Sequence, residues 1–259
     1  MLLTVDVGNS QIVLGVFDQE KLRGSWRLAT DVTKTADEYG VLVLSLLHTI
    51  EIHPPDIHGC IISSVVPPMT PIFECVSETY FQQSPLLVSS DFPFGLTLQY
   101  DNPQEIGTDR LVNAAAAYHR FHNELVVVDF GTATTFCTVT KDGEYLGGAI
   151  APGLKSAANA LHINTAKLPT VDLLCPPTVI GKDTVSSIQS GLIFGYTGLV
   201  DELVSRIQQE TGQTSTVLAT GGQASIIAPI SRTIHEVRPF LTLEGLELLY
   251  RRVKDSQSQ

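Results

Sequence analysis

An aspartate two residues ahead of a glycine, at the end of an apolar run, occurs twice in this chain. The copies are Asp6-Val7-Gly8-Asn9-Ser10 and Asp129-Phe130-Gly131-Thr132-Ala133. The first follows Leu2-Leu3-Thr4-Val5 and leads into Gln11–Phe17; the second follows Leu125-Val126-Val127-Val128 and leads into Thr134–Val139. Each predicts a β-hairpin whose tight turn presents one carboxylate and one glycine. Glycine at such a corner lets the backbone approach a ligand closely, and successive N–H groups there form an anion-binding concavity. The carboxylate can hold a divalent cation, directly or through water, as nucleotide phosphates require. One Asp-x-Gly turn is ordinary. Two with matching flanks point to two related lobes gripping one polyphosphate.

Other residues could belong to the same chemistry. Thr220-Gly221-Gly222 follows an apolar strand and offers bare backbone to a flat base or ribose, or simply joins a strand to a helix. Gly147-Gly148 and Pro152-Gly153 flank another apolar strand and either shape a cleft or turn the chain. Asp109-Arg110 opens a helix. There the carboxylate either stabilises the helix N-terminus or serves as a general base toward an anionic substrate held by the arginine. With an ordinary pKa of about 3.9, and Arg110 favouring its charged form, Asp109 is expected to be ionised at neutral pH. Spacing leaves both roles open. No Gly-x-x-x-x-Gly-Lys-Ser/Thr and no strand-anchored Gly-x-Gly-x-x-Gly is present, which excludes the P-loop class and gives dinucleotide binding no support.

The elements that must position these residues alternate strand and helix. Strands are expected at Leu2–Asp6, Gln11–Phe17 and Gly24–Thr30, then a helix over Thr35–Ile50, where Val41, Leu44 and Leu47 keep a helical period. A strand at Cys60–Val65, a helix at Met69–Phe81 and a strand at Leu86–Ser89 complete an α/β lobe. Pro93–Pro103 reads as loop, and an alanine-rich helix from Asp109 to about Phe121 marks the junction, giving lobes over 1–115 and 116–259. The second lobe repeats the start: strands at Leu125–Asp129, Thr134–Thr140 and Tyr145–Ile150, helices at Leu154–His162 and Val185–Glu210, a strand at Thr216–Ala219 and a last helix at Leu243–Lys254. The polar Asp255–Gln259 end is expected to fray.

With 259 residues, 43% of them hydrophobic, the chain can bury a sizeable core. Its net charge of −11 makes it a poor ligand for nucleic acid or an anionic membrane, and leaves Mg²⁺ and a few local cations to screen any bound ATP. No apolar stretch approaches the roughly 18 residues of a membrane span, and no basic leader precedes the first strand, so a cytoplasmic location is expected. Cys60, Cys75, Cys137 and Cys175 are scattered and read as buried, inert thiols. His119 and His122, at helical spacing without further ligands nearby, read as a solvated helix face.

Together Asp6–Ser10, Gly107-Thr108-Asp109-Arg110, Asp129–Thr135, Ala219-Thr220-Gly221-Gly222 and Leu241-Thr242-Leu243-Glu244-Gly245-Leu246 resemble the type III pantothenate kinases, in the same order and over nearly the whole chain. The resemblance implies an α/β fold of two duplicated actin- and ribonuclease H-like lobes with a nucleotide cleft between them. It also implies ATP-dependent phosphorylation of pantothenate, the first step of coenzyme A synthesis. Carried over, Asp6, Val7, Gly8, Asn9, Ser10, Gln11, Ile12 and Val13 form the first phosphate loop, with Asp6 near Mg²⁺. Thr132 touches ATP, and Asp129 ligates a monovalent cation, K⁺ or NH₄⁺. Gly107, Thr108, Asp109 and Arg110 hold pantothenate, with Asp109 the general base, while Tyr100 and Thr184 complete the pocket. Ser10 stands where threonine is more usual and keeps the hydroxyl.

The resemblance also implies a homodimer with the substrate pocket at its interface. Gly191, Gly195 and Gly198 in the long helix leave gaps for another backbone, at about 1 kcal/mol each relative to alanine, unless they serve close packing within the lobe. Two other functions fit the same motifs: a nucleotide-binding regulatory protein of the Bvg accessory factor kind, and a kinase of the same fold acting on a sugar or short acid. Asp6, Asp109, Arg110 and Asp129 favour catalysis, because a pure binder has no need of a base, and Gly107–Arg110 with Tyr100 favour pantothenate over a sugar or short acid.

Overall fold

The apolar run ahead of Asp6 forms the central strand of a five-stranded sheet in a computed structural model that describes residues 1–257. β1 (Leu2–Val7), β2 (Gln11–Asp18) and β3 (Lys21–Ala29) form an antiparallel meander, and β4 (Gly59–Ser64) and β5 (Leu86–Leu87) add in parallel on the other side of β1. The order is β3-β2-β1-β4-β5. Between the strands lie α1 (Ala36–His48) and α2 (Thr70–Phe81). α1 begins where Thr35 and Glu38 satisfy each other's backbone N–H groups, and α2 ends at a left-handed Gln82. Tyr39, Val43, Leu47, Phe73 and Val76 bury the inner faces of these helices with Leu3, Val5, Ile12 and Leu14 of the sheet.

The duplication anticipated from two five-residue motifs extends to the whole topology. β7 (Leu125–Phe130), β8 (Ala133–Val139) and β9 (Glu144–Pro152) repeat the antiparallel meander. β10 (Thr216–Gly221) and β11 (Glu236–Val237) add in parallel beyond β7, giving β9-β8-β7-β10-β11 with a short β6 (Thr97–Leu98) beside β9. The helices of this unit are α4 (Leu154–Ile163), α5 (Thr184–Thr211) and α6 (Ala224–Ile227). α5 is capped at its start by Asp183, which accepts from the Ser186 N–H at 2.9 Å, and stops at the left-handed Gly212. Phe136, Leu154, Ile193, Tyr196 and Val200 pack the core of this unit.

The chain divides into two compact units: residues 1–95, 102–116 and Leu241 onward form one, and residues 96–101 and 117–240 form the other. This departs from a single cut at 115/116. The C-terminal helix (Leu241–Gln257) packs on β1, β4 and β2 of the first unit, a return that no local pattern announces. α3 (Thr108–Phe121) runs through the point where the chain leaves the first unit. β6, α6 and β11 were not anticipated; each is only two to four residues long and carries no periodicity. The C-terminal helix continues through residues expected to fray, as far as 257, while Ser258 and Gln259 lie outside the described residues.

Among the described residues no helix is long and apolar enough to cross a membrane. The cysteines correct the expectation of four buried thiols. Cys60 and Cys137 are buried, and burial pushes the Cys60 thiol up to about 12, but Cys75 and Cys175 are exposed. Cys75 lies on the outer side of α2 and Cys175 in the loop before α5, where neither packs into a core.

Candidate functional site

In the first unit the strand order reverses between β1 and β4, and the carboxyl ends of parallel strands at such a reversal are where open α/β sheets bind ligands. Asp6 stands at that end of β1, in register with Ser63 of β4. The turn that follows is closed by the Gly8 N–H donating to Gln11 O at 3.0 Å, with buried Val7 and Ile12 paired beneath it. Thr30 braces the same turn from the end of β3. Its hydroxyl donates to Gly8 O at 2.6 Å and its N–H to Ser10 O at 3.2 Å. Two carbonyls that would repel a phosphate are thereby engaged, while Asn9, Ser10 and Gln11 stay exposed.

α3 starts at the same strand ends. The Thr108 hydroxyl lies 2.9 Å from that of Ser63, which is fully buried. Ser63 therefore pins the N-terminus of α3 beside Asp6. It was missed in the sequence, although it occupies the same register position against Asp6 as Thr220 does against Asp129. Gly107 O accepts from Arg110 N at 3.0 Å, and the Asp109 carboxylate folds back so that Oδ1 accepts from the same N–H at 2.8 Å. A side chain at 107 would forbid this, because a Cβ there would sit 2.5 Å from Asp109 Oδ1. Arg110 is 7% exposed.

The Asp109 environment corrects the expectation of an ordinary, arginine-favoured carboxylate. Burial is the largest influence and pushes its pKa up; the Arg110 N–H and guanidinium pull the other way without cancelling it. The helix-end role is present, since Asp109 does accept a first-turn N–H. A cap alone, however, gains nothing from being desolvated.

The Leu241–Leu246 motif is explained within this unit by a helix crossing. A Cβ at Gly245 would lie 2.6 Å from Val112 O, so glycine lets the C-terminal helix meet the backbone of α3, and Thr242 donates to the buried Asn113 at 2.8 Å.

In the second unit, Asp129 is the next-to-last residue of β7, in register with the buried Thr220 of β10. The turn closes Phe130 onto Thr134, where the first closes Val7 onto Ile12, so it is one residue shorter, and the Gly131 N–H donates to Ala133 O at 3.0 Å. Gly221 (φ +88) lies against Asp129, for a Cβ on it would fall 2.4 Å from Asp129 Oδ1. The third glycine turn and the second phosphate turn thus form one constellation, with Thr132 exposed at its tip. Tyr100 rests on β9, where Gly147 (φ +99) leaves room for its ring; a Cβ there would come within 3.0 Å of it. Thr184 opens α5 on the rim of a cavity of about 990 Å³, lined on one side by Ser156, Ala157 and Leu161 and on the other by Gly181–Thr184, Ile188 and Gly191. Tyr100 does not line this cavity, so one chain does not bring Tyr100 and Thr184 together in it.

A family model described as type III pantothenate kinase matches residues 2–206. A type III pantothenate kinase from Citrifermentans bemidjiense is 52% identical over 254 residues, covering 98% of this chain and 100% of that protein. Among solved structures, a Campylobacter jejuni protein bearing a Baf family transcriptional-activator name superposes with a TM-score of 0.60 at 16% identity, over 98% of this chain and 99% of that one. An inorganic polyphosphate/ATP-glucomannokinase from an Arthrobacter strain does so with a TM-score of 0.51 at 13% identity, over 97% and 98%. At these identities the two likenesses show a shared α/β fold alone.

The Asp109 shift has a consequence for stability. Its folded pKa lies above the unfolded value, so the fold holds this proton more tightly than the unfolded chain does. The contribution is favourable below the unfolded pKa and is lost as pH rises through the folded one. Asp109→Asn keeps an oxygen for the Arg110 N–H and removes the buried charge. Urea unfolding at pH 7 is expected to find this variant at least as stable as the wild type, with its relative advantage shrinking toward pH 4. A variant clearly less stable at pH 7 would contradict the assignment.

Proposed function

Because this chain belongs to the type III pantothenate kinase family and transfers a phosphoryl group from ATP to pantothenate, giving 4′-phosphopantothenate for coenzyme A synthesis, we propose specific roles for the residues at its two strand reversals. ATP enters with a divalent metal. At Asp6 we assign Mg²⁺, which proteins commonly hold through one or two carboxylates together with substrate phosphates. Bound with ATP, that ion supplies charge neutralisation on the phosphates.

Asp109 is the general base. The observation that carries this is its half-buried, desolvated place at the N-terminus of α3, pinned beside the Asp6 turn through Ser63 and Thr108. The primary hydroxyl of pantothenate donates its proton to the Asp109 carboxylate as its oxygen attacks the γ-phosphorus in line, and ADP leaves. A raised pKa makes the carboxylate a stronger proton acceptor than an exposed aspartate. Gly107, Thr108 and Arg110 hold the substrate, with the buried Arg110 pairing its carboxylate, and Tyr100 and Thr184 complete the pocket. Val7–Val13 carry the phosphates, Thr132 contacts ATP and Asp129 ligates a monovalent cation. A regulatory binder would have no use for a desolvated carboxylate, which favours turnover over that alternative.

The surface of α5 supports a homodimer. Beyond the neighbouring turns of α5 itself, a Cβ on Gly191, Gly195 or Gly198 would meet no atom of the described residues within 4 Å, so these glycines serve no close packing against another element of their own unit. They line an exposed face of α5, and Val179, Ile180 and Val185 at and before the start of the helix are exposed as well. A second copy seated there would cover the stripe and bring the substrate residues to the interface.

Three outcomes follow. Asp109→Asn lowers turnover by about 10²–10⁴-fold with ATP binding nearly intact, whereas Arg110→Ala acts mainly on the KM for pantothenate; steady-state kinetics with each substrate varied separately checks this, and wild-type turnover in Asp109→Asn would refute the base. Replacing K⁺ by Na⁺ lowers turnover sharply, and Asp129→Ala removes the K⁺ response; equal rates in K⁺, NH₄⁺ and Na⁺ would sink the cation assignment. Light scattering at micromolar concentration gives a dimer, and a fully active monomer would rule the interface out.

A further inference from the structure

The main-chain carbonyl of Thr132 is held from two directions. It accepts from the Gly153 N–H at 3.1 Å and from the Ser156 hydroxyl at 2.9 Å. The Pro152-Gly153 corner lies directly on this loop. A Cβ at Gly153 would fall 2.3 Å from Thr132 O and 2.5 Å from Gly131 O, both backbone atoms that a side chain could not push aside. The position of the corner therefore sets the position of Gly131 and Thr132.

What sets the corner is Tyr196 of α5. Its hydroxyl donates to Pro152 O at 2.8 Å and lies 3.2 Å from Gly153 O, one proton shared between adjacent carbonyls. Gly153 O also receives the Ala157 N–H at 2.9 Å in the first turn of α4, so the corner is tied to both helices. The ring is buried in the core of the unit, and burial holds the phenol above its usual range, so it remains a donor across neutral pH. Hydrophobic packing needs only the ring; the hydroxyl is placed where a phenylalanine would leave two carbonyls without a side-chain donor.

We propose that Tyr196 is a positioning residue for the nucleotide: through the Pro152-Gly153 corner its hydroxyl fixes the main chain of Gly131 and Thr132 where Thr132 meets ATP. This rests on the reading of Thr132 as an ATP contact. Tyr196 touches neither substrate in this scheme.

The test is Tyr196→Phe in the full chain, with MgATP and pantothenate varied separately. The expected result is a KM for ATP raised about three- to tenfold, the size of one lost hydrogen bond, with the KM for pantothenate within about twofold of wild type and an unchanged dimer. Ser156→Ala withdraws the other side chain from Thr132 O and shifts the KM for ATP in the same direction, and the double variant shows less than the product of the two effects because both act on one loop. A Tyr196→Phe enzyme with wild-type KM for ATP, or with both KM values raised in parallel, would overturn the proposal. Thr132→Ala separates the two levels. If it leaves the KM for ATP unchanged, the ATP contact itself is wrong; if it raises that KM while Tyr196→Phe does not, only the strut is wrong.

Discussion

The constraint on which the rest depends is the reversal of strand order beside the first strand of each unit. A chain that lays down three antiparallel strands and then adds the next on the opposite side of the first leaves the carboxyl ends of two parallel neighbours diverging. Asp6 and Asp129 sit at those ends, each facing a buried hydroxyl, Ser63 or Thr220, across the parallel pair. The register is enforced by the apolar alternation behind it. Slipping β1 by one residue would turn Leu3, Val5 and Val7 out of the core, a far larger loss than any hydrogen bond at the turn could restore.

From that fixed edge the place of Asp109 follows by packing. Ser63 holds Thr108, Gly107 makes room for the Asp109 carboxylate, and Gly245 lets the C-terminal helix close on α3 at Val112. Each glycine there is explained by an atom it would otherwise strike. The Asp109 carboxylate is desolvated although the backbone N–H groups of Arg110 and of Asp109 itself donate to it, and desolvation outweighs them and Arg110 in setting its proton affinity. The arginine's proximity in sequence suggested the opposite sign. Charge adjacency is visible in a sequence, but solvent exclusion arises only when the folded chain packs around the group.

The central strands, the long helices and the duplication were legible because apolar runs of four to six residues and matching turns repeat in order. Thr97-Leu98 and Glu236-Val237 were not, since a two-residue strand exists only through its partner: Thr97 donates to Gly143 O at 2.9 Å and pairs in a stretch that is otherwise polar loop. The return of the C-terminal helix to the first unit was invisible for the same reason. Asp6, Asp109 and Asp129 were found from motif and resemblance, but Ser63 needed the register, and Tyr196 needed the hydrogen bond from α5 to Pro152.

The most direct measurement is the pH dependence of kcat/KM for pantothenate at saturating MgATP and K⁺, for the wild type and Asp109→Asn. A desolvated Asp109 acting as base predicts an acid limb whose midpoint lies above the ordinary aspartate range, and the loss of that limb in the variant, whose small residual rate stays flat. A limb at or below the ordinary range, or the same limb surviving in Asp109→Asn, would contradict the account.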